Sequence, residues 1–344
     1  MGKTGIEWVR GEDGSDGETW NPTTGCNIVS EGCRLCYAMT LAKRLKAMEL
    51  ARGTRDPKYQ RDGDPRTSGP GFGLSMHPHV LATPMHWRKP RKVFVDSMSD
   101  LFHSEVTTDF ITRVFAVMAA TPQHTYLILT KRPGRMRSLL SSADFQPAVT
   151  RALLTMPELS RGRWPVPDGG VPWPLPNVWL GTSVETQKWA DVRIPLLMQT
   201  PAAVRFLSCE PLLGPVNLHH GHTYCPDHDF AGGFCTGPCP SRRSPDWVIV
   251  GGESGHGARP MHPDWARSLR DQCQAASVPF LFKQWGEWAP NGYVGIGYNR
   301  LDHLFVGDPV DEHGCRTLVE KVGKKRAGRV LDGVVWDESP VASA

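Results

Sequence analysis

The chain has 344 residues, 40% of them hydrophobic and 22% charged, which excludes global disorder and allows one large α/β domain or two ordinary ones. Its formal net charge of +4 is too small to decide anything about partners. No apolar run approaches the ~20 residues of a membrane-spanning helix, and residues 1–7 lack the apolar core of a secretion signal, so the expectation is a cytoplasmic protein without a membrane partner.

A first strand is expected over residues 19–22. It runs into Trp20-Asn21-Pro22-Thr23-Thr24-Gly25-Cys26, and then to Cys33-Arg34-Leu35-Cys36. Gly25 and Gly32 permit the tight turns needed to fold three thiolates around one centre. A helix over residues 37–49 follows directly, with Ala38, Leu41, Ala42, Leu45 and Met48 on one face. Its first amides and its dipole favour an anionic thiolate cluster. A structural zinc site takes four protein ligands, whereas a 4Fe–4S cluster held by Cys26, Cys33 and Cys36 alone keeps one iron open. A zinc site completed by a distant histidine, or a purely structural cluster, are the alternatives.

Residues 52–92 read as a basic insertion, with nine Lys/Arg against three Asp/Glu. Tyr59, Phe72 and Trp87 lie within it, and cations interleaved with aromatics suit a nucleic-acid backbone and its bases; a solvated loop is the plainer reading.

Six further strands are expected at residues 93–97, 126–130, 178–182, 204–208, 247–251 and 279–283. Helices fit between them. One follows Thr107-Thr108 with Phe110, Ile111, Val114, Phe115 and Met118 inward, and another opens on Pro263 with Trp265, Ala266 and Leu269 inward. Alternating strands and helices point to an α/β fold, a partial or complete (β/α) TIM-type barrel forming a single domain over residues 1–344. Residues 145–177 read as a Pro-rich insertion, 214–245 as a Cys/His-rich one, and 289–344 as a C-terminal extension.

Each expected strand runs into polar residues, and in a parallel barrel those ends share the rim where active sites are built. Asp96, Ser97 and Asp100 follow the first of the six, and Lys131 and Arg132 the second. Thr182, Ser183 and Glu185 follow the third, Glu210 the fourth, Gly251-Gly252-Glu253 the fifth, and Lys283-Gln284 the sixth. Glu253 is placed to take a cationic amine, with Asp96, Ser97 and Asp100 as positional rivals. Lys131 and Arg132 suit a carboxylate or phosphate. Glu185, Glu210 and Lys283 are the candidate catalytic groups, although a strand end can also turn polar simply on reaching solvent.

Of the nine cysteines, three fall between positions 26 and 36 and three between 225 and 239, and such groups bind metal more often than they pair in a cytosolic protein. Cys225, His228, Cys235 and Cys239, in the 214–245 insertion, have the spacing of a tetrahedral zinc knuckle. Cys209, Cys273 and Cys315 stand apart and read as buried or free thiols.

The strings Trp20-Asn21-Pro22, Gly25-Cys26, Gly32-Cys33 and Cys36-Tyr37-Ala38 resemble the radical S-adenosylmethionine superfamily, and more closely its phage-associated three-Cys-motif branch. So do Leu180-Gly181-Thr182-Ser183-Val184-Glu185, Arg205-Phe206-Leu207-Ser208-Cys209-Glu210-Pro211, Gly251-Gly252-Glu253-Ser254-Gly255 and Phe282-Lys283-Gln284-Trp285-Gly286. The resemblance implies a barrel, a 4Fe–4S cluster, S-adenosylmethionine on the open iron, and an electron donor such as a flavodoxin or ferredoxin. Gly251-Gly252-Glu253 echoes the superfamily's amine-binding string but comes later in the chain. Six residues separate Cys26 from Cys33 where the superfamily has three, and Leu35 stands where an aromatic is usual.

The leading expectation is therefore a radical enzyme acting on a nucleic acid or nucleotide. A metal-stabilised nucleic-acid-binding protein without catalysis, and a barrel hydrolase with a structural cluster, are the alternatives.

Overall fold

The computed structural model describes residues 2–11, 13–54, 57–157, 159, 168–218, 244–290, 303–306 and 317–340. The chain divides into two compact units. One comprises residues 1–182, 199–205 and 343–344; the other comprises 183–198 and 206–342. Each is mixed α/β, and among the described residues no helix is long and apolar enough to cross a membrane.

The first unit is built on β1 (Gly2–Thr4), β2 (Gly17–Trp20), β3 (Lys92–Val95), β4 (Thr125–Thr130) and β5 (Val178–Ser183), hydrogen-bonded in that order. β1 is antiparallel to β2, and β2 to β5 are parallel, with Trp20 beside Val95, Val95 beside Ile128 and Thr130 beside Thr182. Val93-Phe94-Val95, Tyr126-Leu127-Ile128 and Val178-Trp179-Leu180 are buried throughout, as a parallel sheet covered on both faces requires. β2 ends at Trp20, short of the expected boundary, and Pro22 beyond it has no N–H to extend the pairing.

Four helices accompany these strands: α1 (Tyr37–Arg52), α2 (Thr108–Ala119), α3 (Pro133–Leu140) and α4 (Phe145–Thr155). The N-cap of α2 is Thr107, whose Oγ1 accepts from Phe110 N at 3.2 Å, and Phe110, Ile111, Val114, Phe115 and Met118 are buried as the spacing predicts. In α1 only Ala38 and Ala42 are buried; Leu41 is 37% exposed, so the inward stripe expected there is narrower than the sequence pattern.

Two segments that read as insertions join the packing. Phe145 and Trp173 set their rings 5.4 and 6.0 Å from Phe115 on α2. Tyr59 and Phe72 pack with Ala38, Ala42 and Met98 in one buried cluster. These two aromatics, expected to meet bases, instead fill core space because their apolar area is worth more out of water. Trp87 lies 5.5 Å from the His124 ring and beneath Arg91.

The second unit holds most of β6 (Val204–Cys209), then β7 (Trp247–Gly251) and β8 (Phe280–Gln284), all parallel. It also carries α5 (Gln187–Met198) and α6 (Pro263–Ala275). α6 opens with Pro263 in its first turn and with His262 Nδ1 accepting from Asp264 N at 3.1 Å. After β8, the strands β9 (Trp288–Pro290), β10 (His303–Val306) and β11 (Thr317–Lys321) form a small antiparallel sheet in the order β9-β11-β10. Farther on, the chain runs alongside β8, where Phe282 N donates to Trp336 O at 3.0 Å and Phe280 N to Glu338 Oε2 at 2.8 Å.

Candidate functional site

In the first unit the loop after β2 carries Cys26, Cys33 and Cys36. Asp96, directly after β3, fixes the entry to that loop. Its Oδ1 accepts from Thr23 N and its Oδ2 from Thr23 Oγ1, both at 2.9 Å. Asp96 stands at φ 57, a left-handed conformation that aspartate tolerates better than most residues. Burial pushes its carboxyl up to about 8, against the two Thr23 hydrogen bonds that favour the charged form. Ser97 Oγ donates to Asn21 Oδ1 at 3.1 Å. Asp96 and Ser97, expected to bind a cofactor, thus tether the cysteine loop to the end of β3.

Gly25 follows at φ 88, and a Cβ there would stand 2.3 Å from Gly73 O, so both its backbone angle and its surroundings require glycine. Next to it, Thr24 Oγ1 donates to Lys58 O at 3.1 Å and meets His77 Nε2 at 2.8 Å. With the hydroxyl proton committed to Lys58, His77 Nε2 is the donor in that contact. Burial, with Lys58 and His79 nearby, holds the His77 pKa down at about 4.

Asp100 accepts four hydrogen bonds. Oδ1 takes Phe102 N at 3.0 Å and Thr130 Oγ1 at 2.7 Å; Oδ2 takes Lys131 N at 3.1 Å and Arg132 Nη1 at 2.9 Å. Thr182 Oγ1 donates to Thr130 O at 2.9 Å, which ties the ends of β4 and β5 together. Arg132, the residue before α3, reaches back to the cysteine loop. Its Nη1 donates to Cys26 Sγ at 3.4 Å and its Nη2 to Asn27 Oδ1. Arg132, Asp100 and Cys26 therefore form one connected group at the C-terminal ends of parallel strands.

Cys26 and Cys36 pack against the same buried cluster of Ala38, Ala42, Tyr59, Phe72 and Met98. Cys36 N donates to Cys33 O at 3.1 Å, and Ser30 Oγ lies 3.7 Å from Cys33 Sγ. Burial pushes the Cys26 thiol up to about 11; the Asp100 carboxylate adds to this, and Arg132 opposes it. Burial raises Cys36 as well, against the amides of Ala38 and Met39 at the start of α1. Among the described residues no three His, Cys, Asp or Glu side chains converge as they would around one metal ion. The donors are nevertheless of the kind an iron–sulfur cluster takes: three soft thiols on one loop, two of them, Cys26 and Cys36, against one buried cluster, with an arginine donating to Cys26. The four residues of the expected zinc knuckle, Cys225, His228, Cys235 and Cys239, lie outside the described residues, as does Cys315.

In the second unit every expected acid has a basic partner. Glu185 Oε2 accepts from Arg193 Nη1 at 2.8 Å, with the two side chains 0% and 1% exposed. The same nitrogen donates to Ser183 O at 2.9 Å. Glu210 Oε1 lies 2.9 Å from Lys283 Nζ, and its Oε2 accepts from Ser208 Oγ at 3.2 Å. Glu253 takes Arg259 through the backbone N at 2.9 Å, Nε at 2.8 Å and Nη2 at 2.5 Å.

Of the two glycines before Glu253, Gly252 is required by close backbone approach, while Gly251 faces the Glu210 side chain. A Cβ on Gly251 would stand 2.7 Å from Glu210 Oε1, and one on Gly252 would stand 1.9 Å from Trp285 O. Gln284 Nε2 donates to Gly252 O at 3.2 Å.

Sequence reasoning missed Thr23, Asn27, Arg193 and Arg259. An arginine six or eight residues after a glutamate carries no pairing signal of its own, and only the positions of Asn21 and Asn27, flanking the start of the cysteine loop, hinted at a polar collar.

Fold and site together define a mixed α/β protein with a three-cysteine loop at the C-terminal ends of parallel strands. The chain belongs to the family described as "Protein of unknown function (DUF5131)", whose model matches residues 3–340. No curated protein matches the chain. No solved structure matches it.

Proposed function

We propose that the protein is an iron–sulfur enzyme of the radical S-adenosylmethionine type, with a 4Fe–4S cluster on Cys26, Cys33 and Cys36 and a barrel-type arrangement of its strands. The observation that carries this reading is the reach of Arg132 from the end of β4 onto Cys26 Sγ, because it sets a fixed positive charge beside a thiol that burial otherwise keeps neutral.

When bound, such a cluster supplies one electron for cleaving the sulfonium of S-adenosylmethionine to methionine and a 5′-deoxyadenosyl radical. The chain's own residues prepare the place. Asp96 holds Thr23 and thereby the approach of the loop, while Asp100 holds the Arg132 fork. The proposed substrate is a nucleic acid or nucleotide. With Tyr59 and Phe72 in the core, its support in the 52–92 segment narrows to exposed cations such as Arg88 and Lys89. The proposed partner is an electron-donating flavodoxin or ferredoxin.

Anaerobic purification followed by iron, sulfide and zinc analysis tests the cluster. Release of 5′-deoxyadenosine on adding dithionite and S-adenosylmethionine tests the chemistry. A protein that takes up only zinc, or a fully loaded cluster that never releases the nucleoside, overturns the corresponding half of the reading.

A further inference from the structure

Glu49 sits in the last turn of α1, where the helix dipole opposes a carboxylate, so α1 itself gives no reason for an acid there. The segment beyond the helix supplies the reason. Glu49 Oε1 accepts from Lys58 N at 2.9 Å, and its Oε2 from Tyr59 N at 3.0 Å and Gln60 Nε2 at 2.9 Å. Lys58 passes the tie on, because its carbonyl accepts from Thr24 Oγ1, two positions before Cys26. Farther along the segment, Phe72 O accepts from Cys26 N at 3.2 Å and Thr67 O from Ile28 N at 2.9 Å. Tyr59 and Phe72 also belong to the buried cluster against which Cys26 and Cys36 pack. Residues 58–72, part of the expected basic insertion, are thus a strap along the Cys26 side of the loop.

Cys36 is the N-cap residue of α1, so one helix carries Cys36 at its start and the anchor of the strap at its end. We propose that Glu49 is a positioning residue for the cysteine loop: by tying the strap to α1 it fixes Cys26 relative to Cys36. The inference rests on reading these thiols as ligands of one metal centre. A second tie joins the same elements, with Asp62 Oδ1 accepting from Lys46 Nζ at 2.6 Å and from Gly71 N at 2.7 Å. The Asp62 side chain is 56% exposed, and an ion pair in water adds little. Glu49 instead gathers three donors on one carboxylate, two of them backbone amides, and such charge-assisted bonds are roughly twice as strong as neutral ones. The strap is therefore held chiefly by Glu49.

Cobalt(II), added to the reduced, metal-free full chain, is the probe, because its sulfur-to-cobalt charge-transfer absorption reports thiolates gathered on one ion. Glu49→Ala is expected to weaken cobalt binding about tenfold, the lower end for residues that support metal ligands. Glu49→Gln keeps the shape and one acceptor oxygen but turns an amide group toward a donor, so it recovers part of the loss. Val149→Ala opens a cavity in α4 of the same unit, outside the cluster that holds Cys26 and Cys36, and lowers the urea midpoint with cobalt affinity unchanged. The reduced, iron-loaded protein gives a second readout, an electron paramagnetic resonance spectrum that changes in the Glu49 variants and not in Val149→Ala. Wild-type cobalt affinity in a folded Glu49→Ala overturns the proposal, as does an equal loss in Val149→Ala, which would make the effect one of stability alone. Should the alanine variant fail to fold, wild-type affinity in Glu49→Gln overturns it equally. A wild-type chain that gathers cobalt on its thiols but never assembles iron and sulfide sinks the cluster reading and leaves Glu49 in its role. A loaded cluster indifferent to both Glu49 variants sinks only this inference, and a wild-type chain without the charge-transfer band sinks both.

Discussion

Arg132 Nη1 stands 3.4 Å from Cys26 Sγ and 2.9 Å from Asp100 Oδ2. The guanidinium is shared between a carboxylate that anchors it and a sulfur that burial alone would keep protonated. Asp100 also accepts from Phe102 N, Thr130 Oγ1 and Lys131 N, so the anchor is itself immobilised by three donors. An arginine held in this way adds positive charge at the loop without having to reorganise when the sulfur becomes anionic.

On the proposed cluster, replacing Arg132 should show in the bound iron before it shows in the fold. Arg132→Gln is expected to weaken iron retention ~10-fold, the size of effect usual for residues that support metal ligands. The midpoint potential of what remains moves to more negative values, because removing a nearby positive charge disfavours the more negative, reduced state. Arg132→Lys keeps the charge but loses the fork and recovers only part of the effect. Iron content and potential both equal to wild type would show that Arg132 has no bearing on the site.

His77 makes stability depend on acidity. Its folded pKa is about 4 against an ordinary 6.5, so as pH falls below 6.5 the unfolded chain takes up the proton first. The stability contributed by neutral His77 is complete above 6.5 and is lost progressively as pH falls to about 4. His77→Gln keeps a donor toward Thr24 Oγ1 and removes the titration. Urea midpoints measured across that range are expected to fall less steeply with acid in this variant. An unchanged slope would assign the acid sensitivity elsewhere.

Gly252 and Gly5 form a matched pair of tests. A Cβ on Gly252 would lie 1.9 Å from the Trp285 carbonyl oxygen, whereas one on Gly5 meets nothing within 4 Å. Gly252→Ala is expected to destabilise by ~2 kcal/mol or more, through forced separation of the chain after β7 from that after β8. Gly5→Ala stays within ~0.5 kcal/mol of wild type. Equal unfolding midpoints for the two variants would mean the contact at Gly252 relaxes freely.

Glu185 separates a structural role from a catalytic one. Paired with Arg193 at 2.8 Å and 0% exposed, it is expected to stabilise the second unit, so Glu185→Gln should cost about 3 kcal/mol in denaturant unfolding by leaving a buried arginine uncompensated. A variant of wild-type stability that has lost turnover would return Glu185 to the reacting groups.

Much of the fold was legible before any coordinates. The strand expected at residues 247–251 is β7 residue for residue, and the inward residues expected of α2 are all buried. Those signals are local: an apolar run or a helical spacing is written within one segment. α1 shows the limit, because its apolar residues alone do not say which of them another element covers.

The sequence by itself determined the order and parallel character of the main strands and the three thiols on one loop. Only the tertiary structure decided what the strand-end residues do. Asp96 and Thr23 are 73 positions apart, and Arg132 and Cys26 are 106 apart. Glu253 meets Arg259 because the chain turns back after β7. Contacts of this kind depend on which strand ends lie side by side. That is set by hydrogen bonding and core packing across the whole unit, which no single stretch of residues encodes.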